Sequence, residues 1–416
     1  MWIQLVVLIF VVLFEPSVSC ADDSLITLKD LVQEALNNNP EIHMAEKRVE
    51  SAEQKKSLAS ALPDPMIGYM VQNVGSPGPW TVGVQDMSMQ GVVFTQEIPF
   101  PGKLETKGRI AGKEEERTEQ GARETKLKVL NNLRSAYYEY FLAFKSAEIL
   151  DQTKEILKNF QRIAETRYET GQGMQQDVIR AQLEVSMILD RLAEEEQQKE
   201  AQASVINSLV GRNPLAPLGR PDELPRKTPA VSVDELAAMA LEHSPMLQGK
   251  QRMVAQSREE LSLSRREYLP DMVVSGGWFT RGEKTDVWQA SVMFKIPLYF
   301  WNTATGVNAA TADLSAARYE YDAERLATLA QVRDLYSKVK TAEHHIQLYE
   351  AGIIPQAKLS LQSATSNYQV GKTDFMTLLE SENMFLKYQL MEQEELVNLN
   401  KTMSMLGEIT GEEHEN

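Results

Sequence analysis

The clearest hydrophobic pattern lies in two long stretches, the first of them free of proline. Leu130, Leu133, Tyr137, Tyr140, Phe144 and Ala147 step along the chain by three and four residues. Val332, Leu335, Val339, Ala342, Ile346, Tyr349 and Ile353 do the same. Such 3,4 spacing is a coiled-coil seam, with one apolar stripe facing a partner helix. The stretches predict long helices over 103–169 and 303–369, each ~100 Å at 1.5 Å per residue. Pro355 should kink the second, because proline has no N–H for the helical ladder. Glycines at Thr170-Gly171-Gln172-Gly173 and Val370-Gly371-Lys372-Thr373 predict turns into returning helices near 174–210 and 374–408. Val178, Ala181, Val185, Ile188 and Leu192 carry the seam onto the first returning arm.

A different period precedes each long helix. Trp288, Ala290, Val292, Phe294 and Ile296 alternate with Gln289, Ser291, Met293 and Lys295, which is the period of a strand with one apolar face. Its partner is 272–280, and 66–74 with 90–98 form the corresponding pair earlier in the chain. Before each pair stands a predicted helix, 25–61 and 232–268. Thr27 and Ser232 are placed to cap the free N–H groups, and Pro63 and Pro270 end the helices.

The plan therefore occurs twice, and the residues repeat with it. Leu31, Ala35, Leu36 and Pro40 match Leu236, Ala240, Leu241 and Pro245. In the same order, Leu62-Pro63-Asp64 matches Leu269-Pro270-Asp271, and Ile98-Pro99 matches Ile296-Pro297. Tyr168 and Gly171 match Tyr368 and Gly371, and Leu209-Val210-Gly211 matches Met405-Leu406-Gly407. Ordered matches at a nearly constant shift indicate an internal duplication. The chain divides into a first repeat over 22–211, a proline-rich linker over 212–231 and a second repeat over 232–416.

Residues 1–21 precede the repeats and read as a secretory leader, although no Lys or Arg stands before the apolar core. Two cleavage readings stay open. One cuts before Asp22; the other treats Val18-Ser19-Cys20 as a lipobox with Cys20 lipidated. No later apolar run is long enough for a membrane helix. A membrane-crossing chain of this kind must use strands in a closed barrel.

Composition narrows function mainly by exclusion. The 416 residues carry a formal charge of −16, which disfavours a nucleic-acid partner. The single cysteine excludes a disulfide framework. No nucleophile elbow, phosphate loop, dinucleotide fingerprint or zinc-protease motif occurs, so neither an enzyme nor a bound cofactor is expected. His344 and His345 are adjacent and point about 100° apart on a helix, so they share no ligand face. Trp80, Trp278, Trp288 and Trp301 all fall in or beside the strand pairs. They read either as ordinary strand residues or as a membrane-interface belt. Met66, Met70, Met87 and Met89 cluster there too; thioethers suit soft cations but also fill ordinary apolar surfaces.

The duplicated helix–strand–strand–long helix–helix layout resembles the TolC-type outer-membrane efflux family over essentially the whole chain after the leader. Gln96-Glu97-Ile98-Pro99-Phe100-Pro101-Gly102-Lys103 is similar to a signature of its CusC/CzcC-like heavy-metal efflux branch. The resemblance implies a mainly α protein with β. It implies a homotrimer whose strands form a 12-stranded barrel in outer-membrane lipid of a Gram-negative bacterium. The long helices would form a tunnel through the periplasm. The implied role is a passive exit duct with no catalysis of its own, coupled to a periplasmic adaptor and an inner-membrane pump, with heavy-metal cations as cargo. A drug duct of the same type and a coiled-coil adaptor are the alternatives. Carried over residue by residue, the adaptor-docking tips are Tyr168, Gly171, Asp177, Tyr368 and Gly371. Glu380 is the candidate aperture residue, or else a plain exposed helix carboxylate. Thr377 stands where some members carry a second acid.

Overall fold

A computed structural model describes residues 25–74, 82, 86–226 and 231–411. The leader, Cys20 and Trp80 lie outside the described residues. Each repeat opens at its expected cap. The Thr27 hydroxyl accepts from the Asp30 N–H, and Ser232 forms a reciprocal capping box with Glu235.

The helix expected over 25–61 is two helices, α1 (Leu28–Asn38) and α2 (Pro40–Ala59). Its repeat mate is likewise α5 (Val233–His243) and α6 (Pro245–Arg266). Sequence reasoning missed the breaks at Pro40 and Pro245. A proline pushes the residue before it out of the helical region, and Asn39 accordingly sits at φ −69°, ψ 123°. The proline then starts a new helix, where its missing N–H costs nothing.

Four strands follow the predicted limits closely: β2 (Met66–Gln72), β3 (Met89–Ile98), β5 (Asp271–Arg281) and β6 (Lys284–Lys295). They form one antiparallel sheet in the order β2-β3-β5-β6, so the repeats join through β3 and β5. Two short strands, β1 (Leu25–Ile26) and β4 (Arg220–Pro221), pair in parallel and hold the start of the first repeat against the linker.

Helix α3 (Lys103–Glu169) runs 67 residues unbroken, and α4 (Gln175–Leu209) returns along it. In the second repeat α7 (Phe300–Leu348) and α8 (Ile354–Gln369) are separated by a π-helical turn at Tyr349–Ile353, and α9 (Phe375–Thr410) returns. The π turn directly precedes Pro355. One widened turn absorbs the missing donor and the ring that a regular helix cannot hold.

The seams pack as their spacing requires. Leu133, Tyr137, Tyr140, Val332, Leu335, Val339, Ala342 and Ile346 are buried in one cluster with Leu31 of α1, Leu236 of α5 and Leu396 of α9. A second cluster fills the lower hairpins, with Leu157 and Phe160 of α3, Ala181 and Ile188 of α4, Leu361 of α8 and Leu378 of α9. Residues of the linker lie along α3, where Tyr140 donates to the Gly219 carbonyl at 3.0 Å and Tyr137 accepts from the Asp222 N–H at 2.9 Å.

Candidate functional site at the hairpin tips and the strand–helix junction

Both hairpin turns end their helices in the same way. Gly171 and Gly371 take positive φ, 71° and 75°, which only glycine adopts without strain. The N–H after each glycine reaches back six residues' span, Gln172 to the Arg167 carbonyl and Lys372 to the Asn367 carbonyl, each at 2.8 Å. Asp374 caps α9, accepting from the Thr377 N–H at 2.8 Å and from its hydroxyl at 2.6 Å. Those two bonds hold the Asp374 carboxyl below its usual range. Thr377 is thus a capping partner in its own right.

The repeat-related tyrosines part company here. Tyr368 is buried and its hydroxyl donates to Asp177 at 3.2 Å, tying α8 to α4. Burial, with the nearby Asp177 charge, pushes its phenol up to about 12, so it remains a donor at physiological pH. Tyr168 is 47% exposed and takes no part in this bond. The structure thus brings Tyr368 and Asp177 together and leaves Tyr168 outside.

Arg167, which sequence reasoning missed, is the hub between the hairpins. Its guanidinium lies 4.7 Å from the centre of the Tyr368 ring, donates to the Tyr368 carbonyl, and donates to the Gln172 carbonyl at 3.0 Å. A side chain at Gly371 would come within 3.2 Å of it. The signal available in the sequence was the mismatch between repeats, Arg167-Tyr168 against Asn367-Tyr368. Glu380 is exposed on α9, six residues past the Asp374 cap.

At the other end, the signature over 96–103 makes the junction between sheet and helices. Lys103 is 3% exposed; its ammonium meets Asp271 at 2.9 Å and Glu267 at 3.4 Å and donates to the Leu269 carbonyl at 3.1 Å. Asp271 in turn accepts from the Phe100 N–H at 2.8 Å. Gln96 donates to the Pro63 carbonyl at 2.8 Å, and Gly102 takes φ 91° beneath Arg266. These groups lock the first repeat onto the Leu269-Pro270-Asp271 turn of the second. Their role is structural, and none is left pointing at a cargo.

The sheet separates its faces. Register places Tyr69, Val92, Trp278 and Trp288 in one row and Ile67, Phe94, Gly276 and Ala290 in the next, all on one apolar, solvent-exposed face. The opposite face carries Met66, Thr95, Ser275 and Ser291 in one row, with Met70, Met89, Gln289 and Met293 nearby. Met87 stands apart in the turn before β3, at φ 65°. Trp301 is not in a strand; it starts α7, 54% exposed, edge-on to Tyr299 and Phe300. Among the described residues no helix is long and apolar enough to cross a membrane, which says nothing of a β-barrel.

A four-stranded sheet with one apolar exposed face, joined to long antiparallel helix pairs, defines the class as a channel component of the outer-membrane efflux type. The chain belongs to the outer membrane efflux protein family, whose model matches residues 31–212 and 236–401. Members are channel components and not enzymes. The chain is 21% identical to the cation efflux system protein CusC of Escherichia coli K12 over 383 residues, covering 85% of this chain and 80% of that protein. Its fold is similar to solved outer-membrane proteins. They include CusC (TM-score 0.80, 16% identity, 92% of each chain), the CmeC outer membrane channel of Campylobacter jejuni (0.80, 17%, 94% and 87%) and VceC of Vibrio cholerae (0.79, 18%, 92% and 96%). Family membership places the protein in the outer membrane of a Gram-negative bacterium.

Proposed function

We propose that the protein is the exit duct of a tripartite efflux assembly. Three copies close a 12-stranded barrel in the outer membrane and a helical tunnel below it. The observation that carries this reading is that both layers are open at matching edges. Strands β2 and β6 are the two edges of the described sheet, and four strands are too few to close a membrane barrel. In the helical layer α4 packs on α3, α3 on α9, and α9 on α7 and α8. Ile179, Leu183 and Met187, one turn apart on α4, are exposed in the protomer, as is Leu359 on α8. Joining the second-repeat edge of one copy to the first-repeat edge of the next covers both sets at once. Three copies supply the twelve strands.

In this arrangement the apolar face with Trp278 and Trp288 meets lipid, and the mixed face lines the lumen. The hairpin tips bearing Tyr168, Gly171, Asp177, Tyr368 and Gly371 dock the periplasmic adaptor that connects to the pump, and Glu380 lines the periplasmic aperture. The relatives named as cation efflux proteins, and the 96–103 signature, favour heavy-metal cations as cargo over organic drugs. Met66, Met70 and Met89 then face the lumen, where thioethers offer weak, repeated contacts to a soft ion.

Native mass spectrometry of protein extracted from outer membranes tests the assembly. A detergent-stable trimer is expected, and a soluble monomer would overturn the reading. Growth of a deletion strain on copper, silver, zinc and a drug panel tests the cargo. Sensitivity confined to drugs would remove the metal assignment.

A further inference from the structure

The buried stripe of α9 that faces the lower hairpin core consists of Phe375, Leu378, Leu379, Glu382 and Leu386. Four of the five are apolar, and Glu382 occupies a seam position between them. It is 1% exposed, and its Oε1 has no hydrogen-bond partner. An ionised carboxylate in such a place is costly, because neither water nor a partner compensates it. Two charged groups act on it, both from α4. Glu184 repels its ionised form and Arg191, itself exposed, attracts it. From α3 and α8 the shared core brings apolar groups, among them Leu157, Phe160 and Leu361.

We propose that Glu382 is a proton-operated lock on the helical hairpins. Protonated, it sits neutral in the seam and keeps α9 packed into the hairpin core it shares with α3, α4 and α8. Ionised, it is driven towards water and away from Glu184, loosening α9 from that core just above the tips. The step involves only a proton exchanged with solvent. The working range is physiological, since burial first, and Glu184 second, push this carboxyl up from 4.5 to about 7. Its folded-state value lies above the unfolded one, so the packing it supports is complete below about 4.5 and is lost as pH rises through about 7. The coupling to conduction rests on the preceding reading of the tips as the mouth of a duct. The loosening of the seam does not.

Hydrogen exchange of the assembled full chain in detergent, corrected for intrinsic rates, reads the seam directly. Between pH 5.5 and 8.0 the wild-type amides of 175–192 and 375–390 should lose about tenfold or more protection, while those of 103–130 hold. Glu382→Gln, and Glu382→Leu if the amide variant folds poorly, should keep full protection at both pH values. Glu184→Gln should move the transition to lower pH. A wild-type-like pH profile in the Glu382 variants, or an unmoved midpoint in Glu184→Gln, would overturn the proposal. Planar-bilayer conductance over the same range separates the two readings. Exchange that follows Glu382 while conductance does not supports the lock and counts against the hairpins as the gate of a duct.

Discussion

Replacing Tyr368 by Phe removes one hydroxyl and little else. The ring, its stacking with Arg167 and its place in the core are retained, so the variant isolates the bond that ties α8 to α4. A hydrogen bond to a charged group contributes about 1.5–3 kcal/mol. Asp177 is partly exposed, and water can replace the phenol in part, which places the loss near the lower end, about 1.5 kcal/mol. If opening requires the hairpins to part, each protomer's closed state is weakened roughly tenfold. Three protomers would compound that factor. Open probability of the reconstituted channel in planar bilayers measures it, with Tyr168→Phe as the internal control. Tyr168 occupies the same place in the other repeat and lies outside the bond, so its variant should behave as wild type. Equal behaviour of Tyr368→Phe and wild type, or equal effects of the two substitutions, would refute the reasoning.

Lys103→Met should destabilise the protein by about 3 kcal/mol, because Asp271 loses its buried cation and keeps only the Phe100 N–H and the more distant Lys295 charge. Thermal unfolding in detergent checks this, and adding Asp271→Asn should recover part of the loss. Asn39→Ala should cost about 1–2 kcal/mol. Its side chain caps α2 and also donates to the Leu209 carbonyl at 2.7 Å. Ser244→Ala, at the corresponding position without a side-chain cap bond, should cost clearly less in the same melting experiment. Glu380→Gln should reduce cation over anion selectivity in bilayers, and unchanged selectivity would remove Glu380 from the aperture.

Much of the architecture was legible because it is written in local periods. The 3,4 spacing of Val332 through Tyr349 can bury itself only as one helix face, and the alternation from Trp288 to Phe294 only as one sheet face. The duplication made each element visible twice. The breaks at Pro40 and Pro245 were missed because the residues on either side both favour helix, and a single dihedral at Asn39 or Ser244 decides the direction of the second segment. The signature over 96–103 suggested a functional class. Its contacts show that Gln96, Gly102 and Lys103 serve the junction between sheet and helix.

What the sequence by itself determined is the class of element at nearly every position, the turn glycines and the two-repeat plan, since each follows from neighbours within a few turns. Only the tertiary structure decided which of two equivalent tyrosines is buried, that Arg167 links the hairpins, and that Glu382 falls inside a seam rather than beside it. Those outcomes depend on groups about 200 residues apart in the chain, Arg167 with Tyr368 and Glu184 with Glu382. No local pattern records such pairs. They arise because two repeats of the same plan pack against each other rather than each upon itself, and the packing breaks their equivalence.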